Sequence, residues 1–303
     1  MKITLKQLSV FLAVYRSGST VAAAEQISLS QSAVSMALSE LEKHLDSTLF
    51  QRVGRRLLPT QQAHMLSSLA AAAVKQVEQI EYLFNLKVER LVVGASTTIG
   101  NYLLPKMISD FQASFPEIDI RLAIFNTKDI CEGLLNYEYD LGFIEGENPF
   151  VELKARTWME DELVLFSAAE SRFIDTDIPL SSLKNLEHTP LILRETGSGT
   201  RTFVQKNLLQ HIETTKVLEL GNSEAIKQAV INDLGVGCLS RFALQDLLEL
   251  KKIKVLSIRD SEALRRPLYL LENKQSVHSE AYKKFVDFAF NYSFISDKRL
   301  KIS

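Results

Sequence analysis

Cysteine is scarce in this chain of 303 residues, which contains only Cys131 and Cys238. Two cysteines so far apart give neither a disulfide framework nor the spacing of a zinc site, and the five histidines are scattered. The sequence therefore predicts no metal site and no cofactor. Because a free cysteine is commonly buried, we expect Cys238 to be an inert thiol rather than a redox sensor.

Long apolar runs are also missing. None approaches the roughly 20 residues of a membrane span, so a membrane is not an expected partner. The N-terminus superficially resembles a signal peptide, with Lys2 and Lys6 before the apolar LSVFLAVY. An amphipathic helix is the better interpretation, because Arg16 interrupts the apolar run and one helical face carries Leu5, Leu8, Leu12 and Tyr15. We therefore expect a cytoplasmic protein.

The chain has little net charge, and a formal charge of -2 alone argues against binding to nucleic acid. The distribution of charge changes that conclusion. Residues 1–60 contain seven Lys or Arg and four acidic residues, a balance of +3, which leaves -5 for the remainder. A basic N-terminal segment on an acidic body is typical of a segment that contacts phosphate.

The first 60 residues predict an all-α winged helix-turn-helix. A first helix covers about 5–17 and ends at Gly18, and two further helices cover about 19–27 and 31–45. The turn between them is Ser28-Leu29-Ser30, and the alanines at 22–24 allow two helices to cross closely. The arginine-rich segment around Gly54 predicts a β-hairpin wing.

The third helix is the candidate for reading bases in the DNA major groove. Its side chains Gln31, Ser32, Ser35 and Met36 can hydrogen-bond base edges or touch a thymine methyl group. Three arginines of the wing, Arg52, Arg55 and Arg56, are suited to phosphates or the minor groove. A solvated polar helix beside a basic loop is the alternative, but the order of the elements favours binding to double-stranded DNA.

Residues 61–88 predict a long linker helix. Apolar side chains recur there at alternating spacings of four and three, at Leu66, Ala70, Ala73, Val77, Ile80 and Phe84. Such a seam predicts a homodimer, and packing of the seam on its own chain is the alternative. From residue 89 onwards predicted strands and helices alternate, among them a helix over 100–114 and a strand near 162–167, which indicates an α/β architecture.

Three N-terminal segments carry a resemblance to a known family: LKQLSVFLAVYRSGSTVAAAE, LSQSAVSMALSELEKHLDSTLFQR and GRRLLPT. In this order they resemble the LysR-type transcriptional regulators, and the resemblance covers essentially the whole chain. It implies a winged helix-turn-helix, a dimerising linker helix and an effector domain of two α/β lobes resembling periplasmic binding proteins. It also implies a homotetramer built from dimers, and regulation of transcription by a small co-inducer bound between the lobes.

The resemblance divides the chain into 1–60, 61–88 and an effector domain at 89–303. Lobe I is expected at about 89–162 and 267–296, lobe II at about 163–266, with crossing segments near 161–163 and 265–267. The segments GASTTIGNYLLP, LGFIEG, LILRETGSGTR, LGNSEAIKQAV and GVGCLSR resemble the branch that contains YeiE and CysL. That branch is associated with sulfur metabolism, and sulfite is the proposed ligand of its YeiE-like members.

Two segments predict an effector site for a small anion. Ser96, Thr97 and Thr98 precede one predicted helix, and Ser198, Gly199 and Thr200 precede another. Helix starts offer free N–H groups and a positive dipole end, and hydroxyls add donors. Arg194 or Arg201 could add positive charge, although either could form a structural ion pair instead. Simple helix capping by the hydroxyls is the alternative.

Glu145 lies at a predicted strand end, where open α/β sheets bind ligands. A carboxylate repels an anion, so we hypothesise that Glu145 accepts a hydrogen bond from a protonated oxyanion such as bisulfite, which disfavours sulfate. An ion pair between Glu145 and a nearby arginine is the alternative. The ligand class also stays open, because an aromatic carboxylate could use the same helix starts in a roomier cleft.

The sequence therefore predicts a DNA-binding regulator and not an enzyme. The GSG triplet at 197–199 is not the nucleophile elbow of a hydrolase, and no histidine is placed to activate Ser198. A solute-binding protein built on residues 90–303 is the alternative from another class. The basic N-terminal segment and the lack of a convincing signal peptide count against it.

Overall fold

The computed structural model of the chain describes residues 2–54, 56–84, 89–174, 186, 188–211, 216–256 and 264–294.

Polar caps define the helices of the N-terminal region. Helix α1 (Leu5–Ser17) begins at a capping box between Thr4 and Gln7, and it ends at Gly18 with a φ of 65°. Helices α2 (Thr20–Gln26) and α3 (Gln31–Leu45) begin at Ser19 and Ser30, whose side chains accept hydrogen bonds from Ala22 and Ala33 N–H groups.

These helices enclose a small apolar core. Val34, Leu38 and Leu41 form the buried face of α3, with exposed fractions of 0%, 7% and 0%, which confirms the predicted face. Strands β1 (Phe50–Val53) and β2 (Arg56–Pro59) pair antiparallel as a hairpin. The winged helix-turn-helix predicted from the sequence is therefore confirmed.

The linker helix α4 (Gln61–Phe84) corrects the predicted seam. Ala70 is 1% exposed and Leu66 packs with it in the core formed by α1, α2 and α3. The prediction of a dimer seam is therefore wrong over this half of the helix, because these side chains pack on their own chain. Met65 and Leu69, one residue earlier, are 69% and 65% exposed.

The C-terminal region is built on one sheet, which contains nine strands within the described residues. Strands β3 (Glu89–Ser96), β4 (Ile118–Phe125) and β5 (Leu141–Glu145) are parallel neighbours, with helices α5 (Thr97–Tyr102), α6 (Leu104–Ser114) and α7 (Thr127–Leu135) between them. These elements form the first lobe around a core that contains Phe111, Phe143 and Phe285.

The second lobe repeats the parallel arrangement. Its strands are β7 (Leu191–Arg194), β8 (Val217–Leu220) and β9 (Val236–Ser240), and β10 (Ile253–Val255) lies beside the long strand β6 (Leu153–Ala168). Its helices are α8 (Gly199–Asn207), α9 (Ser223–Ile231) and α10 (Gln245–Glu249). The α/β effector region predicted from the alternating elements is confirmed.

Two long strands join the lobes. Strand β6 (Leu153–Ala168) pairs antiparallel with β11 (Leu264–Asn273), and α11 (Glu280–Asn291) returns to the first lobe. The crossing segments predicted near 161–163 and 265–267 lie in these strands, where Asp161 is opposite Arg266. The two crossings are therefore hydrogen-bonded to each other and position charged side chains between the lobes.

Some elements differ from the predicted ones. The helix predicted over 100–114 is two helices that meet at Leu103, because Pro105 lacks an N–H group and starts a new helix within its first turn. Strand β6 begins nine residues before the strand predicted at 162. Its first half is polar and has exposed positions, so it lacks the apolar run that marked the second half. None of the helices within the described ranges is both long and apolar enough to span a bilayer.

Candidate functional site

The described side chains of the predicted DNA-reading surface lie on α3 and the hairpin. Gln31, Ser32 and Met36 are exposed, and Ser35 is half-buried. Gln31 Nε2 donates to Ser35 Oγ at 2.9 Å and to Thr20 Oγ1 at 3.3 Å, which orients the amide group. A polar face with one apolar side chain is thus held on a short helix that can enter a major groove.

The wing carries exposed positive charge. Arg52 and Arg56 are both exposed on the β1–β2 hairpin, and Arg52 Nε donates to the Gly54 carbonyl oxygen at 3.4 Å. Arg55, the third predicted arginine, lies outside the described residues. The two described guanidinium groups can reach phosphate from an element next to the reading helix.

Glu145 is the centre of the predicted effector site. It ends strand β5 and is 1% exposed. Its Oε1 accepts a hydrogen bond from the Thr98 N–H group at 2.7 Å, and its Oε2 accepts one from the Thr200 hydroxyl at 2.8 Å. The first donor lies at the start of α5 in one lobe and the second at the start of α8 in the other. The carboxylate therefore occupies donors from both lobes.

A buried arginine completes this arrangement. Arg266 Nη1 lies 3.2 Å from Glu145 Oε2, and it donates to Thr200 Oγ1 at 2.9 Å. On its other side Arg266 Nε donates to Asp161 Oδ2 at 2.8 Å. The ion pair that the sequence left as an alternative for Glu145 is thus present, and Arg266 is a residue that sequence analysis missed.

These contacts and burial shift the pKa values of the two carboxyl groups in opposite directions. Burial raises the pKa of Glu145, but the Arg266 charge and the two hydrogen bonds lower it more, so the pKa lies below its usual value. Burial raises the pKa of Asp161 by more than Arg266 and Ser240 lower it. The pKa of Arg266 is raised, because both carboxylates outweigh its burial. Glu145 and Arg266 are therefore a charged pair.

The two serines predicted for the effector site differ in their contacts. Ser198 caps α8 by accepting from the Arg201 N–H group, whereas Ser96 makes no such bond before α5. Ser96 Oγ is buried without a hydrogen-bond partner among the described residues. Helix capping therefore accounts for Ser198 but not for Ser96.

Arg194 joins the two lobes by another route. It is 2% exposed and donates to both carboxylate oxygens of Glu195, at 2.7 and 2.8 Å. Its Nη2 also donates to Thr97 Oγ1 at 3.1 Å. Arg201 Nη1 donates to the Arg194 carbonyl oxygen at 3.3 Å. The structural ion pair considered for Arg194 is present, with one bond reaching the first lobe.

A cavity of about 340 Å³ adjoins Glu145. Both lobes and β11 line it, and only Glu145 and Gly199 of its residues were predicted as site residues. The others are Thr127, Lys128, Gly146, Glu147, Pro149, Gly197, Thr202, Phe203, Lys206, Asn207, Pro267 and Tyr269. Its two lysines are matched by Glu145 and Glu147, and Lys206 Nζ lies 2.9 Å from Glu147 Oε1. The rings of Phe203 and Tyr269 suit a ligand with a flat apolar body. The residues that line the cavity come from segments far apart in the sequence, so the sequence contained no signal for it.

Both cysteines are buried, and burial raises the pKa of each thiol to about 12. Such thiols remain protonated at neutral pH, which agrees with the expectation of an inert Cys238. Within the described part of the chain, no group of three or more His, Cys, Asp or Glu side chains could hold a metal ion.

A basic winged helix-turn-helix and a two-lobed α/β domain with a cleft define a ligand-responsive DNA-binding regulator. Comparison with known families agrees. Residues 5–64 match the bacterial regulatory helix-turn-helix of the lysR family, and residues 85–292 match the LysR substrate binding domain. The chain belongs to the LysR family of transcriptional regulators, and it is a regulator rather than an enzyme.

Individual relatives extend over most of the chain. The HTH-type transcriptional regulator YeiE of Escherichia coli K12 is 40% identical over 289 residues, which are 95% of this chain and 97% of that protein. A full-length OxyR variant from Pseudomonas aeruginosa has a TM-score of 0.74 at 21% identity, and the match covers 95% of both chains. The Synechocystis CcmR regulatory domain in complex with 2-PG has a TM-score of 0.61 at 27% identity, and the match covers 67% of this chain and 96% of that one.

Gly199 allows α8 to approach strand β5. A Cβ atom at this position would overlap the Glu145 carbonyl oxygen and lie 2.7 Å from Thr127 Oγ1. We predict that Gly199→Ala destabilises the protein by about 1–3 kcal/mol, because backbone atoms must move apart. Thermal unfolding measures this loss. Gly221→Ala is the control, since its Cβ would meet nothing within 4 Å, and equal melting temperatures for the two variants would contradict the prediction.

Proposed function

We propose that this regulator responds to a small oxyanion, with sulfite or a related sulfur anion favoured, which binds between the lobes. The observation that carries the proposal is the Glu145 carboxylate, which accepts hydrogen bonds from Thr98 in one lobe and Thr200 in the other. Donors that hydrogen-bond one oxyanion can hydrogen-bond another. The effector site consists of Ser96, Thr97, Thr98, Glu145, Arg194, Ser198, Gly199 and Thr200.

Two buried donors support binding beside Glu145. Ser96 Oγ and Arg266 Nη2 are both buried and form no hydrogen bond with the described residues. Arg266 Nη2 is ion-paired with Asp161 Oδ2 at 2.7 Å, although this contact does not meet the geometry of a hydrogen bond. The Ser96 hydroxyl has no such partner among the described residues; an unpaired buried donor costs free energy, and an effector oxygen would remove that cost.

A second candidate is an organic carboxylate. The cavity of about 340 Å³ is large for a four-atom oxyanion and falls in the range of small-molecule sites. Phe203 and Tyr269 could contact a ring, and Lys128 and Lys206 could pair with carboxylates. The structure of the similar CcmR regulatory domain is a complex with 2-PG, which supports an organic ligand.

A thermal-shift titration separates these ligand classes. We expect sulfite to raise the melting temperature of the full chain with concentration, and sulfate, phosphate, nitrate and benzoate to have weaker effects. Stabilisation by benzoate alone would support the organic carboxylate, and no stabilisation would reject the anionic effector.

Glu145→Gln should also reduce the preference for sulfite over sulfate. An unchanged preference would reject a hydrogen bond from a protonated oxyanion to Glu145.

We propose that Gln31, Ser32, Ser35 and Met36 contact bases and that Arg52, Arg55 and Arg56 contact phosphate or the minor groove. The site of action is then the cytoplasm, at promoter DNA.

Arg56→Ala should weaken binding to all DNA sequences and lower the slope of log affinity against log salt by about 1. Gln31→Ala should instead change the sequences enriched from a random duplex library. Arg90→Ala, an exposed arginine of the effector domain, is the control.

We propose that the chain dimerises through the face of α4 that carries Met65 and Leu69, and that dimers associate as tetramers. Both side chains are more than half exposed on a helix whose other face already packs on its own core. Leu69→Asp should raise the dimer dissociation constant about tenfold or more, because it places a charge in an apolar contact. Sedimentation equilibrium measures this change. Leu250→Asp, at an equally exposed leucine, should leave the constant unchanged.

A further inference from the structure

Two fully buried carboxylates share one guanidinium group between the lobes. Arg266 is 1% exposed, and it contacts Glu145 on one side and Asp161 on the other. Asp161 Oδ1 also accepts a hydrogen bond from the Ser240 hydroxyl at 2.6 Å. Arg266 thus neutralises only one of two negative charges.

The surrounding groups do not restore neutrality. Strand β7 contributes Arg194 and the adjacent Glu195, which form an ion pair with each other. Strand β9 contributes Cys238, whose buried thiol is protonated because its pKa is raised to about 12. With Glu145, Asp161 and Arg266, these groups comprise two cations and three carboxylates. The neighbouring Arg201 and Arg241 add no net charge, because they are paired with Glu219 and Glu162. The network carries a net charge of -1 before any effector binds.

An anion that enters this network meets an existing excess of negative charge. Coulomb repulsion is strong where water is excluded, and two carboxylates at one site already disfavour full ionisation. A proton taken up by the network would offset the charge of an entering anion. Asp161 is the group placed to accept it, because its Oδ1 faces the Ser240 hydroxyl, which can accept as well as donate, whereas Glu145 Oε1 faces a backbone N–H group. Burial also raises the pKa of Asp161.

Building on the effector site proposed above, we propose that each anion binds between the lobes together with one proton, which Asp161 takes from solvent. The protonated Asp161 donates to Ser240 Oγ, while its other oxygen still accepts from Arg266 Nε. The positive charge of Arg266 is then shared by Glu145 and the effector, and Arg266 Nη2 supplies a hydrogen bond to it. Asp161 and Arg266 thereby couple the effector site to the two crossing strands.

Isothermal titration calorimetry of the full chain tests this coupling. Sulfite and benzoate serve as probes, because they represent the two ligand classes and benzoate keeps one charge near neutral pH. For benzoate we expect uptake of about one proton per anion, measured from the binding heat in two buffers of different ionisation enthalpy. For sulfite the uptake should be larger where the dianion predominates in solution, because the bound form proposed above is protonated. The affinity for benzoate should fall about tenfold for each unit of pH between about 6 and 8.

Asp161→Asn separates this proposal from a general effect of pH. This variant removes the accepting carboxylate, so we expect no proton uptake with benzoate and an affinity that does not change with pH. Glu160→Gln is the matched control, because Glu160 lies next to Asp161 on β6 but its side chain is 70% exposed. It should keep the behaviour of the wild-type chain. The wild-type heats test proton uptake even if the Asp161 variant does not fold.

The outcomes distinguish this inference from the proposed function. Binding of either probe with no dependence on buffer would overturn proton uptake but leave the anionic effector in place. Proton uptake with benzoate that persists in a folded Asp161→Asn protein would overturn Asp161 as the acceptor. If neither probe binds at any pH, the proposed effector class fails and this inference fails with it.

Discussion

The effector domain depends on the need to pair a buried arginine. Removing a guanidinium group from water costs several kcal/mol unless carboxylates and hydrogen-bond acceptors surround it. For Arg266 these groups come from different parts of the fold: Glu145 from the first lobe, Asp161 from a crossing strand and Thr200 from the second lobe. The relative position of the lobes is therefore tied to a small set of charged contacts, which lie where a ligand would bind.

This arrangement gives a physical basis for a ligand response. A ligand shifts an equilibrium between two arrangements only if it binds them with different affinity. Thr98 and Thr200 donate to Glu145 from opposite lobes, and Arg194 reaches Thr97 across the same cleft. An anion that competes for these donors changes contacts of both lobes at once. In the proposed function, this competition is the source of the differential affinity that a ligand response requires.

The linker helix shows how one helix can have two different apolar faces. Leu66 and Ala70 pack with the helix-turn-helix core, whereas Met65 and Leu69 are exposed. A heptad pattern in the sequence does not distinguish an intramolecular contact from an intermolecular one, since both need an apolar stripe at the same spacing. The structure assigned the first half of the predicted stripe to the core and left Met65 and Leu69 as an exposed apolar face, whereas Ile80 of the same stripe is 55% exposed.

Local signals in the sequence determined the helix caps at Ser19 and Ser30, the buried face of α3 and the alternation of strands and helices. Caps and periodicity involve residues a few positions apart, and the N-terminal motifs are specific enough to indicate the family. The partners of Glu145 could not be predicted, because Arg266 and Thr200 are separated from it by many residues and meet it only through the sheet order. Only the tertiary structure decided that this carboxylate occupies the donors of the predicted anion site, since long-range packing brings those charges together.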